Sequence, residues 1–413
     1  MLTQSFWINI LWIIVIFSAI EFTLAIWINF VRKYFQWLIT SKDEVPKLSK
    51  EGLEKFIPHG YDPELGWVRI PNTFGIEKGK QGSTKWTINS KGARINLGFE
   101  NMKSKISCYG DSFTICRQVN DNETWEHHLS KLRNDNVQNF GVGNYGIDQS
   151  LLRLKREHPK NETDIVILAV IPDTISRIMS YWKHYYEYGN TFAFKPKFVL
   201  NKDKLQLLQN KIDKESKFYN YQKYLDEIKK EDFFYKQKFR KEILHFPYVF
   251  TILKNFRRNF SIMYWITKIQ LMKKLHKDTT DIEWFPMRII LRINLKWRIK
   301  LFKNEYALTL LHSILKEFVS YANEQKFNPI FIFLPQKDDI LFIQKNYHFY
   351  EGFLQRLKNI DGLMFIDITT HFLKISNLDD LYSDDNEYGG HLSNKGNQTV
   401  ASIIHDTLKH SNG

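Results

Sequence analysis

Five short apolar runs do most to limit what this chain can become: residues 106–109, 136–140, 164–170 (DIVILAV), 329–334 (PIFIFL) and 363–367. Runs that are apolar at successive positions suit strands covered on both faces. Helical patterns at 123–133, 148–158 and 304–326 (NEYALTLLHSILKEFVSYANEQK) fall between them. The alternation predicts an α/β domain: a doubly wound, flavodoxin-like parallel sheet with helices on both faces. At 413 residues and 43% hydrophobic content, the chain has apolar mass for one large domain or two ordinary ones. In such sheets ligands bind beyond the carboxyl ends of the strands. Chemistry is therefore expected just after each run: at Asp111 and Ser112, at Gly141 to Gly146, at Pro172 and Asp173, at Gln336 to Asp338, and in the loop leading to His391.

The first exit reads ISCYGDSFT, Ile106 to Thr114. Gly110 permits a tight turn, and Ser112 then stands at a helix start, where free backbone N–H groups and the dipole can stabilise an oxyanion. The same Asp-Ser pair would also serve as an ordinary N-cap. The second exit, NFGVGNYGIDQS, has three glycines and an asparagine, backbone that can take positive φ and aim N–H groups at a bound oxygen; a plain glycine-rich turn is the alternative. In YGGHLSNKGNQTVASII, His391 precedes a helix, and Asp384, Asp385 and Glu387 in the loop before it could orient an imidazole for base catalysis. Serine, acid, histidine in that order on an α/β sheet suits nucleophilic acyl transfer. Cys108 and Cys116, the two cysteines, flank the serine and read as buried thiols; their spacing suggests no metal site or disulfide framework, and no cofactor is expected.

Phe6 to Phe30 (FWINILWIIVIFSAIEFTLAIWINF) carries one charge, Glu21, and as a helix at ~1.5 Å per residue it is long enough for a ~30 Å hydrocarbon layer. Trp7, Trp27, Tyr34 and Trp37 lie near its ends and Arg32 and Lys33 stop it, so residues 1–40 read as a membrane anchor. Arg32, Lys33, Lys42 and Lys47 follow the span and no charged side chain precedes it, which by the positive-inside rule favours a cytoplasmic C-terminal domain. Residues 41–102 read as a lead-in of short strands and turns (YDPELGWVRIPNT, KWTINSKGARIN), and 103–413 as the α/β domain.

An insertion at about 181–320 separates the third and fourth runs and is longer than a plain connection needs. Residues 201–300 hold 24 Lys and Arg against 11 Asp and Glu, a surplus of 13 in a chain of net charge +14. Aromatic residues interleave with the basic ones in KFYNYQKYLDEIKKEDFFYKQKFRKEILHFPYVF and NFRRNFSIMYWITKIQLMKKL, a pattern for helices lying on an anionic bilayer or an acidic glycan, or for a solvated helical subdomain. With a membrane anchor present, nucleic acid is not the expected partner. Leu291 to Leu301 (LRINLKWRIKL) alternates strictly and reads as an amphipathic strand.

Together YDPELGWVRIPN, TINSKGARIN, YGDSFT, NFGVGNYGIDQ and HLSNKGN, with the anchor, resemble the SGNH/GDSL hydrolase superfamily, in particular its bacterial membrane-anchored members. The resemblance implies a serine esterase or O-acyltransferase working on acyl groups, most plausibly acetyl, of a cell-envelope saccharide or lipid-linked glycan. It further implies an inner-membrane protein whose domain faces outward, against the charge rule; the outward side is favoured. Ser112 would be nucleophile and His391 base, Glu387 or then Asp385 the acid, and the N–H groups of Ser112 and Asn144 the oxyanion donors, with Asp111, Gly143, Asp173 and Gln336 lining the site. Ser112 and His391 are then expected within hydrogen-bond reach. Three departures bear on activity. Asn144 stands at the family's oxyanion glycine, Pro172 replaces the asparagine of its Gly-x-Asn-Asp motif, and Tyr388-Gly389-Gly390-His391 replaces its Asp-x-x-His. A catalytically weak module binding a glycan or protein at the membrane is the alternative function.

Overall fold

The computed structural model describes residues 4–79, 82–383 and 390–410. Its centre is a five-stranded parallel sheet of β1 (Ser104–Gly110), β2 (Asn136–Asn139), β3 (Ile165–Val170), β4 (Asn328–Phe333) and β5 (Met364–Asp367), in the order β2-β1-β3-β4-β5. Each expected apolar run is a strand here, and the order is that of a flavodoxin-like doubly wound sheet. The helices that matter below are α1 (Gln4–Tyr34), α2 (Lys50–Gly60), α3 (Trp125–Arg133), α4 (Ile147–Glu157), α5 (Tyr248–Lys254), α6 (Phe256–Lys274), α7 (Phe285–Leu301), α8 (Glu305–Gln325), α9 (Lys337–Lys345) and α10 (Asn394–His410).

Alternation along the strands divides the core in two. Val166, Leu168 and Val170 face one cluster with Leu151 and Leu154 of α4 and Leu311, Ile314 and Phe318 of α8. Ile167 and Ala169 face the other, with Trp125 and Leu129 of α3 and Val400 and Ile404 of α10. The sheet is thus covered on both faces, which is why its central strands β3 and β4 are apolar at nearly every position.

Two expectations fail. LRINLKWRIKL is not a strand but most of helix α7. Its buried positions Ile290, Asn294, Arg298 and Leu301 recur every three or four residues, a helical stripe invisible to a hydrophobic count because two of the four are polar. The lead-in is also not made of strands alone. Before its hairpins Tyr61–Asp62/Gly66–Trp67 and Phe74–Gly79/Gly82–Thr87 comes α2, started by Ser49, whose side chain accepts from the Gly52 N–H at 3.0 Å.

The insertion splits into two parts with different tasks. In 181–245 the aromatics that looked like a surface pattern are core: Trp182, Tyr185, Phe194, Phe218, Tyr221, Phe234 and Phe239 are buried, and Trp182 stacks on Phe194 at 4.7 Å. A hairpin, Lys197–Asn201/Lys204–Leu208, is an unforeseen strand pair in this mainly helical segment. In α5 and α6 much of the apolar surface stays outside: Phe250, Leu253, Phe256, Phe260 and Tyr264 are exposed.

α1 is long and apolar enough to cross a membrane, and only 6% of its most apolar window is buried, unlike a soluble core helix. Its last third is different. Ile28 and Val31 are buried in a cluster with Ile262, Met263 and Ile266 of α6 and Ile290 of α7. Arg32 donates to the Leu38 carbonyl at 2.8 Å and pairs with Asp43, which also accepts the Tyr188 hydroxyl at 2.7 Å.

The lead-in grips the segment that follows Ser112. Arg94, 2% exposed, donates to the carbonyls of Ile115, Cys116 and Val119 and to Asp121, while its own N–H bonds to the Asn139 carbonyl at the end of β2. Arg94→Met strands a buried carboxylate and three carbonyls, so a loss of about 3–5 kcal/mol of stability is expected. Denaturant titration of the detergent-solubilised chain measures it, and a loss below about 1 kcal/mol would show that the clamp is dispensable.

Candidate active site

The switch point of the sheet lies between β1 and β3, where connections leave in opposite directions, the place at which such sheets bind their ligands. Gly110 ends β1 so close to β3 that a Cβ there would stand 1.9 Å from the Ala169 carbonyl oxygen, which reserves the position for glycine. Asp111 follows and turns its carboxylate inward, accepting the N–H groups of Phe113 at 2.9 Å and of Ile171 at 3.0 Å. Ser112 then opens a single helical turn, Ser112–Ile115, closed by Cys116 in left-handed backbone with φ 51°. One turn has little macrodipole, so the dipole expected at Ser112 reduces to its local N–H groups. Ser112 is 9% exposed, at the rim, while Cys108 and Cys116 are buried free thiols.

The second block lies against this turn. Phe140 N–H bonds to the Cys108 carbonyl at 2.8 Å and Val142 N–H to that of Gly110 at 3.0 Å, continuing β2 alongside the serine turn. Gly141 is pressed on Thr114 and Ile115, where a Cβ would meet the Ile115 nitrogen at 2.4 Å. Beyond it the chain opens: Gly143 is half-exposed, its carbonyl held by the Trp67 indole at 3.0 Å, and Asn144 is exposed with φ 70°. Asn144 therefore takes the left-handed backbone expected of it.

The third block arrives from the far end of the chain. The His391 ring packs on Phe113, the residue after Ser112, with centroids 5.0 Å apart, and His391 is near enough for its charge to act on Asp111. Asn397, fully buried, accepts the Cys116 thiol at 3.2 Å and the Trp125 N–H at 3.1 Å, locking α10 to the serine turn. The strand-like pair Tyr382 and Leu392 carries His391, whose carbonyl accepts the Ser383 N–H at 2.7 Å. Asp384, Asp385 and Glu387 lie outside the described residues.

Two expected lining residues are buried beneath the strand exits instead. Asp111 is fully buried and ion-paired with Arg177 at 3.2 Å; burial pushes its carboxyl up, and Arg177 and the two N–H groups oppose that. Asp173 accepts the Tyr186 hydroxyl at 2.6 Å and pairs with Arg177 at 3.4 Å and with Arg298 of α7 at 3.3 Å. Arg298 also pairs with Asp339 of α9, whose carboxyl burial pushes up to about 6 and whose other oxygen accepts the Gln336 N–H at 3.0 Å. Gln336 is half-buried, and its Oε1 has no partner among the described residues. A buried ladder of three acids and two arginines thus runs under the exits of β1, β3 and β4.

Sequence reasoning missed Arg298, hidden in the segment read as a strand, and Arg69. Arg69 lies over the Trp86 ring at 4.6 Å, with Nη2 3.9 Å from where a Cβ on Gly143 would stand. Its Nε is buried without a partner among the described residues, and burial, with Arg117 adding, pulls its pKa down to about 10. No periodicity distinguishes it.

No family model and no curated protein matches the chain. Among solved structures it is similar to a G-D-S-L family protein assigned as lipolytic from Desulfitobacterium hafniense DCB-2, at 10% identity and TM-score 0.33, over 74% of this chain and 98% of the other. It is also similar to the psychrotrophic esterase EstA from Pseudoalteromonas sp., at 8% identity and TM-score 0.33, over 75% and 97%.

The ladder is expected to act as one unit. Arg298→Met should cost about 3–5 kcal/mol by leaving Asp173 and Asp339 buried without that cation. Added to Asp339→Asn it should cost less than the two single losses together, by about 1 kcal/mol or more in a double-mutant cycle. Simple additivity would dissolve the ladder into separate pairs.

Proposed function

We propose that this chain is a membrane-anchored serine esterase or O-acyltransferase of SGNH/GDSL type, acting on acyl groups, acetyl foremost, of a cell-envelope saccharide or lipid-linked glycan. The observation that supports the reading is the packing of the His391 ring on Phe113, the residue after Ser112, across 278 positions of sequence. In this reading the Ser112 oxygen attacks the acyl carbonyl while His391 takes its proton. The tetrahedral oxyanion is met by the N–H groups of Ser112 and Asn144, and collapse breaks the ester bond as His391 returns the proton to the leaving alcohol. Water or a sugar hydroxyl then attacks the acyl-serine through the same base. Glu387 or Asp385 would hold the imidazole. Arg69, beside the second block, offers a cation to an anionic group of the substrate.

A second reading, a weakly catalytic module binding a glycan or protein, is favoured by one feature: Pro172 has no N–H and no side-chain donor, so the oxyanion site lacks the family's asparagine at that position. Removing one such donor costs about 100- to 1000-fold in rate. A fluorophosphonate probe separates the two. The enzyme is expected to label at Ser112, with labelling abolished in Ser112→Ala and strongly slowed in His391→Ala. A wild-type protein that stays unlabelled while folded would support the binding module.

The domain is placed on the outer side of a bacterial inner membrane in this proposal. Alkaline phosphatase fused after Lys47 should then be active in cells, whereas an inactive fusion paired with an active cytoplasmic reporter at the same site reverses the orientation.

A further inference from the structure

The apolar surface of α1 does not end where the insertion begins. The Phe17 ring meets Phe250 of α5 at 6.2 Å, and Trp27 meets Phe260 of α6 at 6.0 Å while its indole donates to Thr267 at 2.7 Å. Around these contacts α5 and α6 leave large apolar side chains uncovered, Phe250 at 63% and Leu253 at 58% exposure among them. Their inner faces are already satisfied by Ile252, Ile262 and Met263 in the cluster with Ile28 and Val31. Beyond its edge contacts with Phe17 and Trp27, much of this apolar face stays uncovered and continues the one α1 presents.

Depth can be read along α1. Trp7 and Trp27 are twenty residues apart, about 30 Å at ~1.5 Å per residue, which matches a hydrocarbon layer bracketed by interfacial aromatics. Glu21 lies six residues inside Trp27, about 9 Å deep on that scale. Its carboxylate, only 4% exposed, accepts the N–H groups of Tyr248 at 2.5 Å and Val249 at 2.8 Å, the free donors at the start of α5. The same contact explains a charged residue inside the span: it satisfies two backbone donors that would otherwise enter the apolar layer bare. An interfacial helix buries its apolar face ~5–10 Å into the headgroup and acyl boundary, so the first turn of α5 is held at the depth such helices occupy. Exposed Lys254 and Arg257 follow it, and exposed Lys273 and Lys274 end α6, as anionic headgroups favour.

We infer that α5 and α6 form a second membrane contact, a wedge pinned to α1 by Glu21, whose Phe250 and Leu253 enter the acyl boundary of the bilayer. The inference rests on α1 being the anchor proposed above. It makes the insertion a device that fixes the domain's height and tilt on the membrane, beyond what a single flexible anchor provides.

The full-length protein is tested in phosphatidylcholine–phosphatidylglycerol vesicles, with an environment-sensitive NBD label on single introduced cysteines; native Cys108 and Cys116 are buried. Labels at Phe250→Cys and Leu253→Cys should emit at shorter wavelength and be quenched about twofold or more by a nitroxide near the top of the acyl chain. A label at Glu324→Cys, exposed at the end of α8, should show neither effect. A label at Ile13→Cys in α1 should be quenched by a nitroxide deep in the chain. Water-like emission at 250 and 253 while the Ile13 label is quenched overturns the wedge but keeps the anchor. An unquenched Ile13 label overturns the anchor and the wedge with it. Labels at 250 that are shielded equally in detergent, with cross-links between chains, would assign the face to a second copy and also overturn the proposal.

Discussion

Three carboxylates and two guanidiniums buried together would ordinarily be a poor arrangement, because each charge loses its hydration and only close pairing with further hydrogen bonds returns it. Asp111, Arg177, Asp173, Arg298 and Asp339 meet that condition by sharing partners. Tyr186 donates to Asp173, and backbone N–H groups of Phe113, Ile171 and Gln336 complete the acids at either end. The cost of burial shows in Asp339, whose carboxyl is pushed up to about 6 in spite of Arg298, with Asp173 and Asp338 adding to the rise. Asp111 lies at the β1 exit, Asp173 and Arg177 together at the β3 exit, Arg298 on α7 and Asp339 at the β4 exit, so the ladder ties the β1, β3 and β4 ends to one another beneath Ser112.

α7 couples this ladder to the N-terminal helix α1. Its Arg298 pairs with Asp173 and Asp339, and two turns earlier its Ile290 packs in the cluster with Ile28 and Val31 of α1. One helix thus connects α1 to the charges under the strand exits. The other half of the insertion, 181–245, covers the α4 and α8 face with buried aromatics, and its Lys195 pairs with the fully buried Asp148 of α4. The insertion is therefore integral to the domain: removing it would expose the sheet's helices and leave acids without their cations.

Much of this was legible in advance, and for physical reasons. Strands covered on both faces favour apolar residues at successive positions, so runs such as IVILAV and PIFIF stood out. A helix that is apolar all round has a pattern no amphipathic surface helix shows, so α1 stood out as well. Gly110 and Gly141 mark close approaches where no side chain fits, which gives the serine turn and the second block their local signature. Arg94, Arg69 and Arg298 stood out in no such way, because a buried arginine has the same letter as an exposed one and its role depends on what lies opposite. α7 was misread for the same reason, since its buried stripe includes Asn294 and Arg298.

Local periodicity and turn chemistry, properties of neighbouring residues, were enough by themselves to determine the parallel α/β sheet, the apolar N-terminal helix and three blocks at strand ends. Tertiary structure alone decided the partners of the charges and the contacts between distant segments. His391 reaches Phe113 only because α10 packs on α3, Arg298 reaches Asp173 only because α7 is a helix lying under β3, and Glu21 caps α5 only because the insertion returns to α1. Such contacts join residues more than a hundred positions apart, and their energy depends on burial and distance, neither of which is carried by the order of residues along the chain.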